Sequence, residues 1–395
     1  MRARDHGIVL GRLRPGPFNA ITDVAGVRVG HATIIRGDGP RVVGQGPVRT
    51  GVTVVVPHDG DPFLEPVFAG CHRLNGNGEL TGLEWLRESG FLTSPIAITN
   101  THSVGVVRDA LIAHAIRHHP AGVEFWSLPV VGETYDGVLN DMNGFHVRPE
   151  HLDAALHGAA DGPVAEGAVG GGTGMICHEF KGGIGTASRV VTEADAGWTV
   201  GALVQANYGS RELLRIDGVP IGEEIPTTDV PSPWDAAEAL ARARAGGVEV
   251  GGGGETRAAG AGSIIVVLAT DAPLLPHQCE RLAQRAGLGI ARMGGIGSTG
   301  SGDIFVAFAT GNRGLPDAAL EPDPRRMIDV RMVEDTRMTP LFQAAVEATE
   351  EAIVNALLTA GTMTGADGIT AHGLDGERVI KIMGRYGRGP EARSA

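Results

Sequence analysis

Runs of apolar, β-branched residues recur along the chain and predict buried strands. The clearest run, at 264–269, is continuous and of strand length, which is typical of a strand buried on both faces. Shorter apolar or alternating segments predict further strands, bounded by turn residues. These segments are 21–31, 48–56, 96–101, 122–131, 199–207 and 304–310.

Apolar residues at helical spacing predict helices between these strands. We expect helices at 83–88, 104–118, 234–245, 274–292 and 339–360. For the helix at 274–292, Asp271 is the predicted N-cap and Pro273 lies in its first turn. The alternation of strands and helices predicts an α/β fold.

Composition narrows the class of protein. The net charge of −13 argues against a nucleic-acid partner and suits cationic substrates such as free amines, although it also serves ordinary solubility. Lys181 and Lys381 are the only lysines, which disfavours both a P-loop nucleotide site and a Schiff-base enzyme. The three cysteines form no disulfide framework, and we find neither a signal peptide nor an apolar run of membrane length. We therefore expect a soluble cytoplasmic protein.

Glycine-rich segments give no sign of a cofactor. The segment 75–82 lacks the lysine and spacing of a P-loop, and we interpret it as a loop that caps the helix at 83–88. The segments 168–175 and 181–189 lack the strand–GxGxxG–helix pattern, so their glycines favour close backbone approach instead. The pair at 178–179 lacks the second histidine of a zinc helix. We predict no metal and no cofactor.

The junction at Ser263 suggests a specific chemistry. A glycine-rich stretch ends at Gly262, and the apolar strand begins directly after Ser263. The Ser263 hydroxyl can attack the Gly262 carbonyl, move the acyl group from nitrogen to oxygen, and let water release a chain that begins with Ser263. The new α-amine, with a pKa of about 8, can then act as the base for its own hydroxyl. The alternative is an ordinary loop that runs into a strand.

Three segments carry a resemblance to a known family. Ser263 with its strand, 271–276 and 300–303 closely resemble the self-cleaving aminopeptidases of the L-aminopeptidase/D-amino-acid esterase-amidase (DmpA) type, which include β-peptidyl aminopeptidases. The resemblance implies a four-layer α/β/β/α sandwich of the N-terminal-nucleophile type. It also implies homo-oligomers of processed pairs. We predict a single domain over 1–395 that is processed into 1–262 and 263–395, with Ser263 at an edge of the sheet.

The resemblance also implies roles for individual side chains. Asn207 is expected to stabilise the oxyanion together with Tyr135, and Glu133 to bind the substrate ammonium. From the residues alone, these three would equally be a turn asparagine, a packed tyrosine and a solvated glutamate.

Two further residues, Ser301 and Asp303, are expected to orient and polarise the nucleophile. The β-peptidyl branch often has glutamate at the Asp303 position, so aspartate tilts the prediction weakly toward the L-aminopeptidase branch.

The predicted activity is hydrolysis of amino acyl amides, esters or short peptides through an acyl-enzyme on Ser263. One alternative is an acyltransferase of the ornithine acetyltransferase type, although that family normally uses threonine as its nucleophile. Another is an uncleaved small-molecule binding protein with the same fold. The sequence does not fix α- against β-amino acyl preference, stereochemistry or oligomer number.

Overall fold

Two β-sheets packed face to face occupy the centre of the molecule in a computed structural model, which describes residues 1–119, 125–191, 197–244, 262–315 and 327–390. The strands are β1 (Arg28–Arg36), β2 (Val48–Val56), β3 (Val67–Gly76), β4 (Phe91–Leu92), β5 (Ile96–Asn100), β6 (Val130–Thr134), β7 (Ile176–Cys177), β8 (Phe180–Lys181), β9 (Gly183–Val190), β10 (Thr199–Asn207), β11 (Ser263–Thr270), β12 (Gly302–Ala309), β13 (Met363–Thr364) and β14 (Thr370–Ala371). The smaller sheet has the order β1-β2-β5-β6 and the larger sheet β4-β3-β12-β11-β10-β9. Two short hairpins, β7-β8 and β13-β14, lie outside these sheets.

Helices cover the outer face of each sheet. They are α1 (Leu83–Ser89), α2 (Val104–His118), α3 (Pro149–His157), α4 (Ile221–Glu224), α5 (Pro233–Arg244), α6 (Pro276–Gln284), α7 (Ala286–Arg292), α8 (Met338–Thr359) and α9 (Gly376–Arg385). The smaller sheet packs against α2 and α3, and the larger sheet against α6, α7 and α8. The predicted α/β/β/α sandwich is confirmed.

The side chains of β11 show why this strand has no polar face. Ile264, Val266 and Leu268 pack against the helices, whereas Ile265 and Val267 pack between the two sheets. Because side chains alternate along a strand, Ser263 lies on the same face as Ile265 and is directed toward the smaller sheet. The continuous apolar run thus positions the hydroxyl between the sheets.

Several predicted elements match the structure closely. The strand at 199–207 and the helix at 104–118 are found with the predicted bounds as β10 and α2. The helix expected at 339–360 is α8, which begins one residue earlier and ends one residue earlier. None of the described helices is both long and apolar enough to cross a membrane.

The start of the helix predicted at 274–292 is wrong. The helix begins at Pro276 and is divided into α6 and α7 at Arg285. Asp271 does not cap it, because its carboxylate accepts a hydrogen bond from the backbone N–H of Thr199, at 2.7 Å, and so fixes the start of β10 instead.

Two predicted strands and the location of Ser263 also need correction. The strand expected at 122–131 begins only at Val130 and continues to Thr134, while 120–124 lie outside the described residues. Ile21–Asp23 is a 3₁₀ turn, and β1 starts at Arg28. Ser263 begins a central strand between β10 and β12, so it lies at the end of a strand and not on an edge strand.

Candidate active site

Ser263 lies where three strands of the larger sheet meet. It is paired with Asn207 in antiparallel register and with Gly302 in parallel register. The backbone N–H of Gly302 lies 3.2 Å from the Ser263 Oγ and 3.2 Å from the carbonyl oxygen of Gly262. One N–H is therefore shared by the hydroxyl and by the carbonyl that this hydroxyl would attack.

The residue before Ser263 has to be glycine because of close packing. A Cβ at Gly262 would lie 2.1 Å from the carbonyl oxygen of Asn207 and 2.8 Å from the Tyr208 Cα. Both distances are shorter than a non-bonded contact allows, and both neighbours are backbone atoms that cannot rotate away. Most of the glycine-rich approach, 245–261, lies outside the described residues.

Ser301 and Asp303 form a hydrogen-bonded pair beside this junction. The Ser301 hydroxyl donates to Asp303 Oδ1 at 2.6 Å, and both residues are buried. Burial raises the pKa of Asp303, and the hydrogen bonds from Ser301 and Asn75 oppose that rise. The structure thus brings together the two residues that the resemblance paired.

Asn75 is a site residue that the sequence analysis missed. Its amide donates to Asp303 Oδ2 at 3.1 Å and to the carbonyl of Ser298 at 3.2 Å. The neighbouring Asn77 donates its backbone N–H to the carbonyl of Ser301. The segment 75–82 does lead into α1, with Gly82 at its N-cap position, but it also brings Asn75 and Asn77 against Asp303 and Ser301. The available signal was the pair of asparagines between glycines at the end of a strand.

The side-chain amide of Asn207 is fixed at both ends. Its Oδ1 accepts the backbone N–H of Ile176 at 2.8 Å, and its Nδ2 donates to the carbonyl of Tyr135 at 3.0 Å. The residue is 1% exposed. An amide held in this way beside Ser263 is preoriented, which is what an oxyanion donor requires.

Tyr135 reaches Asn207 through its backbone and not through its hydroxyl. Its ring stacks on Trp234 of α5, with ring centroids 6.5 Å apart, and its hydroxyl oxygen lies 2.5 Å from where a Cβ of Gly137 would be. The structure therefore places Tyr135 beside Asn207, with its ring between α5 and the chain at Gly137.

Glu133 is a buried carboxylate on β6. Its Oε1 accepts the backbone N–H of Glu79 at 3.0 Å, and its Oε2 accepts the hydroxyl of Thr101. A Cβ at Gly78 would lie 3.3 Å from this Oε1 and 3.1 Å from the Cα of Gly302. The loop at Gly78 therefore lies between Glu133 and Gly302, the residue that is paired with Ser263. Burial raises the pKa of Glu133, and its two hydrogen bonds oppose that rise.

No metal centre competes with this assignment in the part of the chain that the structure describes, where no three His, Cys, Asp or Glu residues are grouped suitably. Cys71, Cys177 and Cys279 are buried free thiols.

Comparisons with known proteins identify the family of the chain. Residues 19–371 match the model of Peptidase family S58. A β-peptidyl aminopeptidase of Sphingosinicella microcystinivorans is 50% identical over 387 residues, which cover 98% of this chain and 93% of the relative. Its namesake in Sphingosinicella xenopeptidilytica is 45% identical, over 97% of this chain and 90% of that protein.

Solved structures show the same likeness. A Burkholderia sp. β-aminopeptidase superposes with a TM-score of 0.87 at 53% identity, over 99% of this chain and 100% of that one. The L-aminopeptidase D-Ala-esterase/amidase of Ochrobactrum anthropi, described as a variant of the Ntn hydrolase fold and a prototype of the serine aminopeptidases, gives 0.82 at 42%, over 98% and 99%. The identity is higher to the β-aminopeptidases than to the L-aminopeptidase, which does not support the weak preference for the L-aminopeptidase branch that Asp303 suggested. The chain belongs to Peptidase family S58 and is a serine aminopeptidase with an N-terminal-nucleophile hydrolase fold.

Proposed function

We propose that the chain cuts itself between Gly262 and Ser263, which yields segments 1–262 and 263–395. The observation that carries this proposal is the Gly302 N–H, which lies 3.2 Å from both the Gly262 oxygen and the Ser263 Oγ. As Oγ attacks the Gly262 carbonyl carbon, this N–H can stabilise the oxyanion. The C–N bond then breaks and the nitrogen takes up the proton. Water hydrolyses the resulting ester and leaves Ser263 as a new N-terminus.

The processed enzyme reuses the same geometry on a substrate. The Ser263 α-amine accepts the proton of Oγ, and Oγ attacks the acyl carbonyl, which occupies the position that the Gly262 carbonyl left. The Gly302 N–H and the preoriented Asn207 amide stabilise the oxyanion. Tyr135 acts together with Asn207, whose amide donates to the Tyr135 carbonyl. The leaving amine or alcohol takes the proton, and water then releases the acid from Ser263.

The remaining polar residues supply orientation and substrate binding. The hydrogen-bonded pair of Ser301 and Asp303, supported by Asn75, orients and polarises the Ser263 centre. Glu133 binds the free ammonium of the substrate, because a carboxylate that is buried and close to Gly302 can form a charge-assisted hydrogen bond there.

The proposed substrates are amino acyl amides, esters and short peptides with a free amine. The relatives at 50% and 45% identity are named β-peptidyl aminopeptidases, so β-amino acyl amides are the first compounds to assay, with α-amino acyl amides as the comparison. We also propose a cytoplasmic homo-oligomer of processed pairs, which the free thiols and the resemblance support.

Intact-mass spectrometry tests this function directly. The expected result is two fragments divided at Gly262–Ser263, and no division or turnover in Ser263→Ala. Active protein that stays as one chain would overturn the proposal, and substantial hydrolysis by Ser263→Ala would show another nucleophile. Ser89→Ala, a change at a half-buried hydroxyl that donates to the Trp85 carbonyl and accepts the Phe91 N–H, is the matched control. An assay with ornithine as acyl acceptor distinguishes an acetyltransferase, and ligand binding without product indicates a binding protein.

A further inference from the structure

Lys181 is a fully buried lysine that the reaction described above does not use. It ends the short strand β8, and its Nζ lies 2.7 Å from the carbonyl oxygen of Gly182, 2.8 Å from that of Met175 and 3.3 Å from that of Gly172. Within the ranges that the structure describes, no carboxylate forms an ion pair with it. The role of this buried lysine therefore depends on the peptide groups to which its three carbonyl partners belong.

The hydrogen-bond geometry favours the charged form of Lys181. An ammonium has three protons and no acceptor, which matches three carbonyl oxygens, whereas a neutral amine has two protons and a lone pair. Burial lowers the pKa of Lys181 to about 7 and opposes this preference. The three acceptors compensate part of the cost of burying the charge.

A single peptide group, Met175–Ile176, connects Lys181 to the side chain of Asn207. Lys181 binds the carbonyl of Met175, and the N–H of the same peptide, which belongs to Ile176, donates to Asn207 Oδ1 at 2.8 Å. The other end of the Asn207 amide donates to the carbonyl of Tyr135. A cation at the carbonyl polarises the peptide and makes its N–H a stronger donor, because hydrogen bonds in a chain polarise one another.

We propose that Lys181 is a positioning residue for the oxyanion amide of Asn207. It touches neither the substrate nor Ser263. It holds the Met175–Ile176 peptide in place, and that peptide holds the Asn207 amide beside the nucleophile. This inference rests on the proposed function, in which Asn207 stabilises the oxyanion.

A double-mutant cycle on the processed enzyme tests the inference. Lys181→Met, Asn207→Ala and the double variant are compared by kcat and KM on one amino acyl p-nitroanilide, with the processed fraction measured by mass spectrometry. We expect Asn207→Ala to lower kcat by about 100-fold and Lys181→Met by about 10-fold, with KM changed less than about twofold. The double variant should match Asn207→Ala, because Lys181 acts only through that amide. Lys381→Met removes the other, exposed lysine and should leave both constants unchanged.

The possible outcomes distinguish the role of Lys181 from the proposed oxyanion role of Asn207. Multiplicative losses in the double variant, or a change in KM alone, would overturn the role of Lys181. An unchanged kcat in Asn207→Ala would instead overturn the oxyanion role of Asn207. Should Lys181→Met yield no folded, processed enzyme, the same cycle is run with Lys181→Gln, which removes the charge but keeps two amide protons for the carbonyls.

Discussion

Asn207 and Ser263 face each other across β10 and β11, at the point where Gly262 enters the sheet. The amide and the hydroxyl therefore belong to one residue pair of the buried β10–β11 pairing, and the register of this pairing sets their relative position. A slip of one residue would turn one of the two side chains to the opposite face of the sheet. The register of β10 and β11 therefore acts directly on the chemistry.

Gly262→Ala should block processing, because the new methyl group would lie 2.1 Å from the Asn207 carbonyl oxygen. The chain has to move at the bond to be cut, so we expect an uncleaved precursor in mass spectra recorded after overnight incubation. Gly105→Ala is the control, since a Cβ at this exposed helical position meets nothing within 4 Å. Processing of Gly262→Ala at the wild-type rate would show that this close contact does not matter.

Glu133→Gln should raise KM for substrates with a free amine by about 10- to 100-fold, which corresponds to the loss of a charge-assisted hydrogen bond worth about 1.5–3 kcal/mol. The amide keeps the shape of the side chain, so kcat should change little. Kinetics on a free and an N-acetylated version of one substrate check this, and only the free version should respond. Glu150→Gln, on the exposed start of α3, provides the comparison. An equal response of both substrates would remove Glu133 from amine binding.

The pH dependence of KM should report the ionisation of Glu133. Burial raises the pKa of this carboxyl above that of an ordinary glutamate, and ammonium binding requires the charged form. Binding is therefore complete above the raised pKa and is lost as the pH falls through it, so KM rises at a higher pH than an exposed glutamate would give. Profiles of KM between pH 4 and pH 8 should show this rise in the wild type but not in Glu133→Gln. A profile shared by both proteins would contradict the assignment.

Asn75→Ala should shift the acid limb of kcat upward in pH. The amide of Asn75 lowers the pKa of Asp303, so its removal raises that pKa further and protonates the carboxyl earlier on acidification. We expect a loss of kcat on the acid side of the profile that recovers as the pH rises. Asn312→Ala, at another buried asparagine, should keep the wild-type profile. A uniform loss of kcat at all pH values would mean that Asn75 only supports the loop.

Arg189→Met should destabilise the fold by about 3–5 kcal/mol, because Arg189 is fully buried and bonds Glu351 at 2.6 Å and Glu347 at 3.3 Å. Its removal breaks the ion pair with the buried Glu347 and leaves Arg4, at 2.8 Å, as the remaining cation of Glu351. Urea unfolding is best measured in a Ser263→Ala background, where one chain unfolds. Arg215→Met breaks an exposed pair and should cost about 0–1 kcal/mol. Equal costs for the two variants would contradict this account.

The sequence predicted those parts of the fold that depend on local pattern. Strand β11 was predictable because every residue from 264 to 269 is apolar, and Ser263 because glycine precedes it at the start of that strand. The start of α6 was not predictable, because Asp271 is engaged by the N–H of Thr199 on a neighbouring strand.

Contacts between distant residues were also beyond the sequence pattern. Asn75 bonds Asp303, which lies 228 positions further along the chain. The sequence indicated no role for Lys181 beyond showing how scarce lysine is, since its three carbonyl partners are brought together by the folded hairpin and glycine loop.

The Gly302 N–H would link the proposed self-cleavage to the assembly of the larger sheet. It belongs to β12, which α6 and α7 separate from β11 along the chain, and it donates to a hydroxyl 39 positions upstream. A chain in which β12 is not paired with β11 would lack this donor, and the proposed cleavage would not take place. Under the proposed self-cleavage, peptidase activity would be released only in molecules whose larger sheet is assembled.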